Sequence, residues 1–300
     1  MKSLLTVFAA VALLTAAGAA DAQPLRQLTR RPSAAKPPPE PKAPPPPGPN
    51  DWRTVDPENM LVIETSKGRV VLELAPQVAP NHVERIKTLA RRKFYDGLEF
   101  FRVIDGFMDQ TGDPDNKGTG QSDLPDLKGE FFFKRDPADP NFVSVGTVIQ
   151  SEAGFYGSMP VFSQLALMAP LMADGKVNAW GAFCAGMIGA ARSGDPDSAN
   201  SQFFLMRDNY PALEKTYTPF GRLLSGLSVI RAIKVGEPVE PPRDTMITVR
   251  VAADLPEAER PKARIVDTRS TWFKARANEV FVDRGIVFTP CAVDLPVEVR

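Results

Sequence analysis

Three hundred residues allow one large domain or two small ones, with a core that needs no staples. Lys and Arg number 36 against 36 Asp and Glu, so the charge gives no sign of a polyanionic partner such as nucleic acid. The single histidine, His82, argues against a histidine-rich metal site and a Ser-His-Asp triad, while Cys184 and Cys291 form no C-x-x-C pair and no phosphate-binding loop is present.

Residues 1–22 read as a secretory signal. Lys2 supplies the positive start, Leu4 to Ala17 the apolar middle, and Ala20-Asp21-Ala22 an A-x-A cleavage site before Gln23. The rival is an uncleaved anchor, but the apolar run is short against the ~20 residues that span a bilayer. The expectation is an exported protein with no stable membrane insertion after cleavage. A periplasmic location is favoured over secretion. Residues 23–58 are expected to be a disordered linker. Pro37-Pro38-Pro39 and Pro44-Pro45-Pro46-Pro47 fix φ and lack N–H donors, which favours an extended spacer over a docking peptide.

Folding is expected to begin near Asn59. Met60 to Thr65 and Gly68 to Leu74 read as strands joined by a turn. A helix follows Ala79-Pro80, with Asn81 as N-cap, Val83, Ile86, Leu89 and Ala90 as its apolar stripe, and His82 as a surface residue of its first turn. Tyr95-Asp96-Gly97 is a turn, and Phe100 onward a strand. Within 134–180, Asn141 to Ile149 reads as a hairpin arm and Phe162 to Met172 as an amphipathic helix packed on its own domain. Phe203 to Met206 reads as a strand, and Gly236-Glu237-Pro238 supplies a helix stop, Gly and then Pro. Beyond Leu255, Thr268 to Asp283 reads as a helix, and Ile286 to Cys291 and Leu295 to Val299 as short strands. In an oxidising compartment Cys184 and Cys291 can pair and tie this tail to the body of the protein, with two independent thiols as the alternative.

Two segments carry a family resemblance. Phe100-Phe101-Arg102-Val103-Ile104-Asp105-Gly106-Phe107-Met108-Asp109-Gln110-Thr111-Gly112-Asp113 and Gly194-Asp195-Pro196-Asp197-Ser198-Ala199-Asn200-Ser201-Gln202-Phe203-Phe204 resemble the two signatures of cyclophilin-type peptidyl-prolyl isomerases. The resemblance covers about Met60 to Leu255, interrupted by the long segment at 134–180. It implies a mainly β fold: a closed, eight-stranded antiparallel barrel capped by two α-helices, in which residues 113–120 and 123–130 resemble the family's glycine-rich loop, Tyr217 to Leu224 its F-G strand, Ser225 to Ile233 its capping helix and Met246 to Val251 its closing strand. Residues 59–255 would be the isomerase domain, 134–180 an insertion, and 256–300 a C-terminal extension packed on the barrel.

The resemblance also implies the chemistry. Arg102 matches the family's catalytic arginine and Gln110 the amide that positions the substrate backbone. Phe107, Met108, Phe204 and Leu213 match the proline pocket. Alternation puts Met108 and Gln110 on one strand face and Phe107 on the other, so a shared pocket demands a bulge, which Gly106 can allow. Arg192 and Ser193 fall where the family holds the residue before proline through main-chain groups. Tyr217 stands where many members carry histidine and Ala212 where they carry tryptophan, which implies weak inhibition by cyclosporin. The implied activity is cis-trans isomerisation of X-Pro bonds, needing no cofactor or metal. Its partners would be proline-containing peptides and unfolded exported proteins, met by a monomer. A cyclophilin-fold binding module with little turnover is the second reading.

Overall fold

A computed structural model describes residues 45–300. The signal and most of the proline-rich segment lie outside these residues. The first strands are β1 (Trp52–Thr54), β2 (Met60–Thr65) and β3 (Gly68–Leu74), followed by helix α1 (Pro80–Arg91). The short strands β4 (Arg102–Ile104) and β5 (Met108–Thr111) follow. The insertion supplies β6 (Phe133–Arg135), β7 (Phe142–Val148), β8 (Ser151–Tyr156), β9 (Met159–Gln164) and β10 (Val177–Gly181). Then come β11 (Met187–Ala190), β12 (Phe203–Met206), β13 (Pro219–Ser225), α2 (Leu227–Arg231) and β14 (Met246–Val251). The tail contributes β15 (Ala263–Val266), α3 (Thr271–Arg284) and β16 (Val297–Val299).

Eight of these strands form one antiparallel sheet in the order β14-β2-β3-β13-β11-β12-β5-β4. The sheet is not the closed barrel expected from the sequence. Its two edge strands, β14 and β4, do not pair with each other; the gap is crossed by isolated bridges between flanking residues, Glu99 to Thr245 before the two strands and Val103 of β4 to Gly236. The reason is local. β4 is only 3 residues long. The chain opposite it carries Pro238, Pro241 and Pro242, which have no N–H to give to a ladder. Gly236 and Val239 donate what the segment can, to the carbonyls of Val103 and Phe101.

Strand alternation divides the apolar residues of this sheet between its two faces. Leu61, Ile63, Val70, Leu72, Ile188, Phe203 and Leu205 pack together with Val83, Ile86 and Leu89 of α1. Their neighbours on the opposite face enter two other clusters. Met60, Val62 and Val71 meet the tail and insertion, through Phe155, Ile265, Phe273 and Phe288. Met108, Met187, Phe204 and Met206 gather near Phe183 and Leu213.

Several expectations change. Residues 162–172 do not form a helix: β9 pairs with β8 along its length, and a 3-10 turn follows over Ala166–Leu171. Pro170 denies an α-helix there one of its donors. The insertion becomes a five-stranded sheet, β6-β10-β9-β8-β7. The linker does not extend to residue 58, because β1 pairs with β15 and β15 with β16 in a separate three-stranded sheet. Helix α3 starts at Thr271, where the Ser270 hydroxyl accepts from Phe273 N at 3.1 Å. Ile286 to Cys291 forms 3-10 turns, not a strand.

The start of α1 differs too. Ala79 is the N-cap and Pro80 takes the first helical position. The anion that satisfies the helix start is Glu130, from the loop before β6. It accepts from the backbone N–H groups of Asn81 and His82, each at 3.1 Å. His82 is therefore buried, with Nδ1 2.7 Å from the Glu130 carboxylate, and is not a surface residue.

Candidate functional site

The site is a cross-strand row. Arg102 on β4 lies opposite Gln110 on β5, Gln110 opposite Phe204 on β12, and Phe204 opposite Gly189 on β11. Directly paired residues of an antiparallel sheet share a face, so register alone delivers a guanidinium, an amide and a large aromatic side by side.

Hydrogen bonds fix the polar end. Arg102 Nη1 donates to Gln110 Oε1 at 3.2 Å, Gln110 Nε2 to Gln202 Oε1 at 2.9 Å, and Gln202 Nε2 to the Gly120 carbonyl at 2.9 Å. This chain settles the orientation of both amides. Gly120 is itself placed by the loop that Asp113 gathers, whose carboxylate accepts from the N–H groups of Asp115, Lys117 and Gly118. Burial works to raise the Asp113 carboxyl, but these donors win and hold it below its ordinary value. On the other side Arg102 Nε donates to Glu237 Oε1 at 2.7 Å, and Nη2 lies 2.6 Å from the same oxygen. Nη1 keeps a second N–H, and the side chain is 37 % exposed.

Packing fixes the apolar end. Met108, Phe204 and Leu213 are buried in one cluster, with Phe107 and Tyr217 half-buried against it. The Phe204 ring stacks near Phe183 at 6.0 Å and meets Tyr217 edge-on at 5.9 Å. Gly189 leaves the room: a Cβ there would lie 2.5 Å from the tip of the Phe204 ring and 2.8 Å from Phe183. The bulge expected for Phe107 is not needed. Phe107 sits in the turn before β5, where Gly106 has φ of 68°, and its ring lies 4.3 Å from that of Tyr210.

Arg192 and Ser193 stand on a second wall. The Arg192 guanidinium lies over the Tyr217 ring at 4.5 Å and donates from Nε to the Thr216 carbonyl at 3.0 Å. Ser193 bonds Ser198 and lines, with Gln110, Gly120 and Gln202, a cavity of about 330 Å³. Cys184 and Cys291 form a disulfide, with Cα atoms 5.2 Å apart, which ties the tail to the residue after Phe183. Among the described residues no group of three or more His, Cys, Asp or Glu side chains is placed to hold a metal ion.

The family model of cyclophilin type peptidyl-prolyl cis-trans isomerases matches residues 60–252. The chain belongs to this family. A probable peptidyl-prolyl cis-trans isomerase of Brucella suis is 35% identical over 196 residues, covering 62% of this chain and 76% of its own. A peptidyl-prolyl cis-trans isomerase-like 1 of Gibberella zeae is 30% identical over 190 residues, covering 62% and 90%. The crystal structure of the cyclophilin AquaCyp293 from Hirschia baltica superposes with a TM-score of 0.76 at 35% identity, covering 84% of this chain and 94% of the other. That coverage exceeds what residues 60–252 alone could supply, so the likeness reaches into segments outside the family core. The cyclophilin is a peptidylprolyl isomerase of class EC 5.2.1.8 and mainly β.

Four further residues shape the site and were not singled out from the sequence. Glu237 was read only as part of a helix stop, yet it grips Arg102. Gln202 stood in plain view within the second signature, two residues before Phe204. Gly189 is legible only once its strand partner is known. Glu214 follows Leu213 and is mostly buried beside Trp180, and burial pushes its carboxyl up to about 7 despite the pull of the Trp180 indole and Lys215.

Proposed function

We propose that this cyclophilin accelerates X-Pro rotation in exported polypeptides by a non-covalent route centred on Arg102. Amide resonance sets a barrier of ~18–20 kcal/mol, and removing about 7 kcal/mol of it gives roughly a 10⁵-fold acceleration. No bond to the enzyme is required. The proline ring rests on Met108, Phe204 and Leu213, with Phe107 and Tyr217 at its sides. The remaining Arg102 N–H faces the prolyl nitrogen as it turns pyramidal, and that donor is worth most in the twisted state. Gln110 holds the flanking backbone, and Arg192 and Ser193 guide the residue before proline. The observation that carries this reading is the Arg102–Gln110–Phe204 row, which sets a fixed cation beside an apolar floor.

The cyclophilin acts on this reading as a monomer in the periplasm, with secretion as the alternative. The signal at 1–22 and the Cys184–Cys291 bridge support an oxidising compartment. The sequence from 23 to the start of the fold serves as its spacer. A second reading, a binding module with little turnover, draws on the exposed apolar residues of insertion and tail, Ile149, Ile286 and Val287. Turnover of a short X-Pro peptide decides between them. Wild type is expected to be active and Arg102→Ala to lose ~10²- to 10³-fold in kcat/KM while keeping its melting temperature. An inactive, folded wild type would leave the binding-module reading standing.

A further inference from the structure

The insertion and tail build a second apolar surface that begins where the proline floor ends. Tyr217 is the floor's outer ring, and Arg192 spans from it to Phe131, 5.8 Å from that ring. Beside Phe131, Phe132 is 46 % exposed and meets Trp180 edge-on at 6.2 Å. Trp180 stacks on Phe162 at 6.0 Å, and Lys215 Nζ lies 4.0 Å from the Trp180 ring. Glu214 and Lys215, between Leu213 and Tyr217 in the chain, also line a groove of about 480 Å³. Its far rim is apolar and solvent-facing: Ile149 is 90 % exposed, Ile286 91 % and Val287 71 %. Ile149 comes from the β7–β8 turn and the other two from the turn after α3, so two distant segments place unprotected aliphatic side chains at one groove. Exposed apolar side chains gathered around a concavity mark a contact surface.

We propose that this groove is a client subsite. It takes an apolar stretch of the same unfolded polypeptide whose X-Pro bond lies on the Phe204 floor, a few extended residues away. Continuity with the floor through Leu213, Glu214, Lys215 and Tyr217 selects this occupant, and the inference rests on the functional reading above. The enzyme would then favour prolines near exposed apolar segments, the condition of an unfolded chain.

Three peptides with one X-Pro core test it: a four-residue peptide, and two longer ones carrying Leu-Phe-Ile either before or after the core. In wild type one longer peptide is expected to gain roughly tenfold in kcat/KM over the short one, about the worth of burying one aliphatic side chain net of ordering it. In the triple variant Ile149→Ser, Ile286→Ser, Val287→Ser the gain is expected to vanish while the short-peptide rate stays within twofold. No gain in wild type, a gain kept by the variant, or an equal fall on both substrates overturns the subsite. So does a wild-type dimer that the triple variant turns to monomer, since the groove would then bind a second copy. Arg102→Ala separates the two readings: unchanged short-peptide turnover there refutes the site reading, whatever the groove does.

Discussion

Two buried arginines serve two regions built on different rules. Arg207, at the end of β12, reaches across the eight-stranded sheet. Its guanidinium donates to Asp109 at 2.9 Å and to the carbonyls of Ile230 at 3.1 Å and Arg231 at 2.8 Å, so it closes the last turn of α2. Arg135, in the insertion, works across strands of its own sheet, to Ser163 at 3.1 Å and Glu152 at 2.7 Å, with Phe142 stacked at 3.9 Å. The first arginine ties chemistry-bearing strands to a helix end. The second reaches past β10 to β9 and β8 and stays within one sheet. The lesson is one of reach: Arg207 joins the eight-stranded sheet to α2 through partners 23 to 98 residues away, whereas Arg135 finds its partners within 28 residues, inside the insertion.

The largest expected effect breaks the longer-reaching side of this contrast. Arg207→Ala leaves Asp109 fully buried beside empty carbonyls and is expected to cost about 3–5 kcal/mol in denaturant unfolding. Arg135→Ala should cost less, since Glu152 keeps access to water, and should spare short-peptide turnover. Next comes the tail. Cys291→Ser opens a loop closed over 107 residues and is expected to cost about 2–4 kcal/mol, measured against the disulfide-bonded wild type. Hydrogen exchange should then rise first in β15, α3 and β16, with the eight-stranded sheet following later. Gly189→Ala probes the join between packing and chemistry. Its added Cβ pushes the Phe204 ring from the floor, with an expected loss of about 1–3 kcal/mol in stability and a larger fractional loss in kcat/KM than in kcat.

The smallest effect is a pH dependence. Glu214 titrates near 7 in the fold and near 4.5 unfolded, so between these values the native state holds the proton that the unfolded state has lost. Stability should therefore fall as pH rises from about 4.5 to 7 and level off above. The expected amplitude is about 1–2 kcal/mol after allowance for partial exposure. Glu214→Gln should flatten that slope in unfolding curves taken across the window.

What the sequence made legible follows the same division. Arg102, Gln110 and Phe204 could be named because the signatures preserve their spacing, and register then sets them in one row. Glu237 could not, because its contact with Arg102 spans 135 residues and crosses the seam of the sheet. His82 looked exposed because its partner Glu130 lies 48 residues away. The stretch 162–172 mimicked a helix, since Leu165, Met168 and Met172 recur at helical spacing. Pairing with β8 and the presence of Pro170 outweighed that pattern. The open edge was equally hidden, being set by three prolines facing a very short strand.

The sheet made by β1, β15 and β16 has a consequence for where this protein may be cut. It draws one strand from before the family match at 60–252 and two from after it. Together with α3 it covers Met60, Val62 and Val71, which lie inside the match. A chain trimmed to the limits of the match would thus bare a strip of aliphatic and thioether side chains along β2 and β3. The length of chain that the family match covers and the length that buries this strip are different. Substitutions on the outer face of β2 and β3 are consequently tied to the flanks more closely than to the active site.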